Sequence, residues 1–138
     1  MNVARKQEVR RRRVVVADDN LDYLNEICDL LETRFEVVAR AANGRDCVNA
    51  VHQLSPSIVI TDISMPKVDG IEATRQIMKS WPGVKVVILS AYDDPIYVEA
   101  AVEAGAAAYV VKAAAFDELI PAIDEVLAGG SYLPIVRT

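Results

Sequence analysis

The stretch "VVVADDNLDYL", Val14 to Leu24, runs four small or branched apolar residues straight into two adjacent carboxylates, Asp18 and Asp19. Two like charges about 4 Å apart repel by about 4 kcal/mol at an effective dielectric near 20. A third carboxylate, Asp62, closes the apolar run of "IVITDISMP". A hydroxyl, Ser90, ends "VKVVILS", and an ammonium, Lys112, ends "AYVVK". Helix capping explains one such aspartate, but it gives no reason for three acids to gather. A hard divalent cation does: Mg²⁺ prefers oxygen ligands and needs only one or two carboxylates plus a phosphoryl oxygen. A metal-binding acid pair, an acceptor carboxylate, a hydroxyl and a cation are the parts that phosphoryl transfer uses, because catalysis there is mostly positioning and charge neutralisation.

These residues meet only if the right elements carry them. Apolar runs at 13–17, 35–41, 57–61, 84–90 and 108–111 read as strands. Between and after them come segments with apolar residues at helical spacing, from Leu21 to Leu31, Cys47 to Leu54, Ile71 to Trp81, Pro95 to Ala104 and Phe116 to Leu127. Asn43-Gly44, Pro82-Gly83, Ala104-Gly105 and Gly129-Gly130 punctuate them. Strands that alternate with helices predict a parallel sheet covered on both faces. The second run, with Glu36 and Arg40, is more polar and suits an edge; the others are nearly continuous apolar, as strands buried on both faces are. The common doubly wound order is 2-1-3-4-5, with ligands beyond the carboxyl ends of strands 1 and 3, where Asp18-Asp19 and Asp62 fall.

The bulk properties narrow the classes. The 138 residues suffice for one domain with a core. Residues 1–13 hold six basic groups and Glu8, net +5, while the other 125 hold nine basic and nineteen acidic groups, net −10. An acidic body disfavours nucleic acid or an anionic membrane as a direct partner, and residues 1–12 read as a basic, mobile tail. No apolar run approaches the ~18 residues of a membrane span, and the arginine-rich start lacks a secretory pattern. Cys28 and Cys47 sit in helical patterns, which fits two reduced core thiols and a cytoplasmic location. His52 reads as a surface residue and Trp81 as packing.

Asp18-Asp19, "TDISMPKVDG" around Asp62, Ser90-Ala91 and Tyr109 to Lys112 together resemble the receiver domain of two-component response regulators, over residues 13 to about 130. The segment "LAGGSYLP" further resembles the NarL-type subgroup. The resemblance implies a flavodoxin-like (βα)5 fold and assigns Asp62 as phosphoacceptor, taking a phosphoryl group from a sensor histidine kinase or phosphotransfer protein. Asp19, Asp62 and the backbone carbonyl of Ser64 would hold Mg²⁺ directly, and Asp18 through water. Lys112 would pair with the phosphoryl group, Ser90 would swing in to hydrogen-bond it, and Tyr109 would rotate inward as the coupled switch. The implied output face is helix 4, strand 5 and helix 5, about residues 95–128, serving transcription. A phosphorylation-dependent homodimer is among the implied partners.

A receiver is no enzyme toward other substrates; it catalyses its own phosphorylation and dephosphorylation. DNA would be reached only through an output domain. The sequence ends four residues after Pro134, so that domain is expected to lie outside this chain, with residues 131–138 a C-terminal extension or the start of a linker. Ala113 stands where many receivers have proline, which leaves the Lys112–Ala113 peptide open between cis and trans. Bulky Tyr92 is expected to shield the acyl phosphate, and Asp18→Asn to weaken Mg²⁺ binding yet stabilise the metal-free fold.

Three other readings compete. One is a receiver-like interaction module that is never phosphorylated, but such modules usually lose acids or the lysine, and all are intact here. A haloacid-dehalogenase-type hydrolase resembles this pattern in its aspartyl phosphate, but carries a second acid two residues after the nucleophile, where this chain has Ser64. A flavodoxin-like electron carrier needs a glycine- and hydroxyl-rich loop after strand 1, where Asp18 and Asp19 would repel the flavin phosphate.

Overall fold

Alternate residues of a strand face opposite sides, and this chain fills both sides with apolar groups. The computed structural model describes residues 11–134. Five strands, β1 (Arg13–Ala17), β2 (Glu36–Ala41), β3 (Ile58–Thr61), β4 (Lys85–Ser90) and β5 (Ala108–Val111), form one parallel sheet in the order 2-1-3-4-5. Helices α1 (Leu21–Leu31), α2 (Gly44–Leu54), α3 (Gly70–Ser80), α4 (Pro95–Ala104) and α5 (Ala115–Leu127) follow the strands in turn. Val14 and Val16 point into one core with Leu24, Ile27, Leu31, Leu119 and Ile123 of α1 and α5. Val15 and Ala17 point into the other, with Cys47, Val51, Ile71, Ile77 and Val98 of α2, α3 and α4. The two buried thiols therefore lie in different cores, Cys28 under α1 and Cys47 under α2.

The helices begin where short polar side chains take over orphan amides. Asn20, Asn43, Asp69 and Asp94 accept from the backbone N–H of Tyr23, Asp46, Glu72 and Ile96, and Pro95 opens α4. The last helix has no side-chain cap; a 3₁₀ turn over Lys112–Ala114 leads into it directly from β5. That turn keeps Lys112 at the strand end. Among the described residues there is no cis peptide, so Lys112–Ala113 is trans.

β2 lies at one edge, as its polarity predicts. β5 lies at the other edge yet is as apolar as an inner strand. The chain beyond α5 returns beside it: the Tyr109 amide donates to the Tyr132 carbonyl (2.9 Å), and the Tyr132 amide to the Ala107 carbonyl (3.1 Å). One bridged residue thus covers part of an otherwise open edge. Of the expected basic tail, residues 1–10 lie outside the described residues. Arg12 already joins the sheet, its carbonyl accepting from the Glu36 amide (2.9 Å). Residues 135–138 of the expected extension also lie outside them.

Candidate functional site

The parallel ladder carries the acids to one level. Past the end of β1 the Asp18 amide donates to the Ala41 carbonyl, and past the end of β3 the Asp62 amide donates to the Ala17 carbonyl, both at 3.0 Å. Each acid is then fixed by a local bond. Asp18 Oδ1 accepts from the Asn20 amide (2.9 Å), and Asp62 Oδ1 from the Ile63 amide (2.7 Å). Oxygens of Asp18, Asp19 and Asp62 all lie within 4.8 Å of one another. Asp18 and Asp62 are 3% and 8% exposed, whereas Asp19 faces solvent.

Lys112 reaches in from the end of β5. Its Nζ stands 2.7 Å from Asp18 Oδ2 and 3.1 Å from Asp62 Oδ2. One ammonium against three carboxylates leaves the cluster two charges negative. Burial pushes the Asp62 carboxyl above its ordinary pKa; Lys112 opposes this, Asp18 adds to it, and the Ile63 amide opposes it. Burial also works against the charged Lys112, but its bonds and proximity to Asp18 and Asp62 prevail and hold its pKa above the ordinary value. The lysine is therefore charged, and the Asp62 carboxylate sits in surroundings that disfavour its own charge. The donor set is all hard oxygen, and its exposed member Asp19 opens it to water. These residues fit Mg²⁺, whose charge would offset the cluster's excess.

The loop after Asp62 is sculpted against backbone. Thr61 Oγ1 donates to the Asp62 carbonyl (2.9 Å), and the Gly70 amide to the Ile63 carbonyl (2.8 Å). A Cβ on Gly70 would lie 1.8 Å from the Asp62 carbonyl oxygen, so only glycine lets α3 start so close to Asp62.

Ser90, fully buried at the end of β4, accepts the Tyr92 amide at its Oγ (3.0 Å). Tyr109, expected to rotate inward on phosphorylation, is already turned inward here, 1% exposed, with its hydroxyl donating to the Tyr92 carbonyl (2.6 Å). Burial raises its pKa, which the Ser90 side chain opposes. Tyr92 thus joins the hydroxyl at one strand end to the aromatic ring of the next. Its own ring stacks on Tyr97 (centroids 4.5 Å, 16° between planes), and its hydroxyl lies 3.2 Å from Ser64 Oγ. The Ser64 side chain thus faces Tyr92.

The sequence reading missed one residue here, Tyr23. Its ring lies under Lys112 Nζ (4.5 Å to the centroid), and its hydroxyl is 3.4 Å from the Lys112 carbonyl. Burial first, then Asp18, Glu26 and Asp62, push the phenol up to about 12. The available signal was its place four residues past Asp19, one turn into the first helix, above the same strand end.

Residues 14–124 match the model of the response regulator receiver domain. The transcriptional regulatory protein DegU of Brevibacillus brevis is 38% identical over 123 residues, covering 88% of this chain and 52% of DegU. The chain spans about half the length of the curated relatives it matches in this way. Among solved structures, a LuxR-family two-component response regulator from Aurantimonas sp. SI85-9A1 superposes with TM-score 0.85 at 31% identity, covering 88% of this chain and 89% of that one. The signal receiver domain of NarL from Mycobacterium tuberculosis gives 0.83 at 25%, covering 88% and 99%. The chain belongs to the response regulator receiver family, a class of parallel α/β domains. Within it, the structural neighbours place the chain with the NarL-type subgroup. No described helix is long and apolar enough to cross a membrane.

Proposed function

We propose that Asp62 accepts a phosphoryl group from the phosphohistidine of a sensor histidine kinase or phosphotransfer protein, in a Mg²⁺-dependent reaction. An oxygen of Asp62 forms the new bond to phosphorus as the bond from phosphorus to the histidine nitrogen breaks, and its electron pair returns to the imidazole. Asp19, Asp62 and the Ser64 carbonyl would hold the metal directly and Asp18 through water, and the metal would neutralise charge on the phosphoryl oxygens. Lys112 neutralises a further oxygen, and Ser90 donates its hydroxyl to another. The single observation that carries this reading is the Lys112 ammonium 3.1 Å from Asp62 Oδ2 at the common mouth of β1, β3 and β5.

The new group brings about −1.5 to −2 charges and strong acceptor oxygens. Ser90 turns toward them and gives up the Tyr92 amide, which loosens the carbonyl that holds the Tyr109 hydroxyl. This shifts an existing equilibrium on the face of α4, β5 and α5 (95–128), where Ile96 and Val102 are exposed apolar groups. In this reading residues 13–130 form the receiver, and 131–138 are a C-terminal extension or the start of a linker. The phosphorylated chain pairs with a second copy, acts in the cytoplasm, and has no other substrate. Incubation with acetyl phosphate and Mg²⁺ should add the mass of one phosphoryl group to the native chain and none to Asp62→Ala. No gain in the native chain overturns the reading.

A further inference from the structure

We infer that Tyr23 is a positioning residue for Lys112, a neutral aromatic rest that keeps the ammonium aimed at Asp62 when charges around it change. The inference rests on the proposed phosphoryl transfer and names what holds its cation in place. Lys112 has three partners: Asp18 Oδ2 at 2.7 Å, Asp62 Oδ2 at 3.1 Å and the face of the Tyr23 ring at 4.5 Å. Two of these are carboxylates whose charge the reaction alters. Asp18 is drawn toward a metal, and Asp62 becomes an acyl phosphate. A flexible lysine held only by Asp18 would follow Asp18 as the metal site fills.

The ring is the partner that does not change. Its quadrupole attracts a cation whatever the state of the acids, more strongly where water is scarce. Lys112 is mostly buried there, its side chain 18% exposed. Tyr23 is itself anchored at both ends. Its helix starts at the Asn20 cap, which accepts the Tyr23 amide (3.1 Å), and its hydroxyl lies 3.4 Å from the Lys112 carbonyl. The residue therefore touches the lysine at its backbone and at its head, with the four-carbon stem between.

Ring electronics separate this role from simple packing. Phenylalanines with zero to three ring fluorines, incorporated at position 23 of the full chain, lose cation attraction stepwise at nearly constant shape. The rate of phosphorylation by acetyl phosphate with Mg²⁺ should fall along the series, roughly tenfold from first to last. Tyr23→Leu should be as slow as the last member, and Tyr23→Phe should recover most of what Leu loses. A second measurement needs no phosphodonor: ring current should shift the Lys112 side-chain methylene NMR signals upfield in the native chain, and Tyr23→Leu should abolish the shift.

A rate indifferent to fluorine overturns the inference even where the shift is present. If the native chain takes up no phosphoryl group, the proposed function fails by itself. The methylene signals then decide the positioning role: an upfield shift lost in Tyr23→Leu supports it, and its absence from the native chain overturns it.

Discussion

Lys112 Nζ lies closer to Asp18 (2.7 Å) than to Asp62 (3.1 Å), so the metal-free site already contains a counter-ion for the acid expected to be the most strained. The sequence alone suggests that neutralising Asp18 relieves repulsion. The structure moves that gain to its neighbour. Asp18→Asn keeps an acceptor for the Asn20 amide but gives up a nearly buried ion pair, and one partner lost from such a pair is costly. Asp19 is exposed and makes no ion pair among the described residues, so Asp19→Asn removes only repulsion. In EDTA, Asp19→Asn should melt higher than the native chain and Asp18→Asn lower, each by a few degrees for roughly 1 kcal/mol. Melting curves without metal check the order, and a higher melting temperature for Asp18→Asn contradicts the structural account.

The raised pKa of Asp62 sets a pH dependence. A carboxyl whose folded pKa lies above its unfolded one favours folding below the unfolded value, and that contribution is lost as pH rises through the folded value. At neutral pH the ionised acceptor therefore costs stability. Asp62→Asn should melt above the native chain at pH 7 in EDTA, and the gap should close in acid as the native carboxyl takes its proton. Excess Mg²⁺ should shrink or reverse the gap at pH 7, because the ion binds the native site and stabilises it. Melting temperatures across pH, with and without metal, test both parts.

The buried thiols give an alkaline counterpart. Burial pushes Cys47 up to about 12, and Cys28 is also raised by burial. Both are neutral in the fold, so their contribution is intact below the unfolded thiol range and is lost above it, from about pH 9 toward 12 for Cys47. The melting temperature should hold to about pH 9 and then fall, more gently in Cys47→Ala after correction for its lower starting stability. A thiol reagent at pH 8 should label neither cysteine until denaturant is added.

What was legible in the sequence lies where one residue answers to one strand end. Asp18, Asp62, Ser90 and Lys112 each terminate an apolar run, and the parallel order 2-1-3-4-5 converts that position into a shared level. The edge character of β2 was written in Glu36 and Arg40. Contacts between distant side chains were not legible. Tyr23 meets Lys112 across 89 residues, and only the folded arrangement, with α1 and α5 sharing one face of the sheet, brings the ring beneath the ammonium. The Tyr132 bridge to Ala108 was hidden for another reason: "SYLP" has too few residues to show a strand period. Phe35 was read into the second strand, but β2 starts at Glu36 and Phe35 turns down into the core beneath α1. Gly70 reads as an ordinary turn residue until the Asp62 carbonyl is seen 1.8 Å from its absent Cβ.

That last contact yields a sharp contrast between glycines. Gly70→Ala places a methyl against the Asp62 carbonyl oxygen and carbon (1.8 and 2.8 Å), both backbone atoms that cannot rotate away. The start of α3 must shift, and with it the acceptor loop. Overpacking of this kind costs about 1–3 kcal/mol or more. Gly70→Ala should lower the urea midpoint markedly and slow phosphoryl uptake. Gly83→Ala, with nothing within 4 Å of the new methyl, should leave both unchanged.

Under the proposed function, Tyr92 governs how long an acyl phosphate on Asp62 survives. Its side chain spans the site mouth from the β4–α4 loop to Ser64 (3.2 Å) and stacks on Tyr97, while 41% of the residue remains exposed. Its links to Ser90 and Tyr109 run through backbone atoms, so a side-chain change leaves the switch connections in place. Tyr92→Ala should open the mouth to water and shorten the phosphoryl lifetime roughly fivefold, a barrier change of about 1 kcal/mol. Tyr92→Phe keeps the stack but drops the bond to Ser64 and should fall between the two. Ser64→Ala removes the same bond from the other side and should match Tyr92→Phe. Intact mass followed over time after removal of acetyl phosphate reads all four lifetimes, and equal decay in the native chain and Tyr92→Ala would show that water enters by another route.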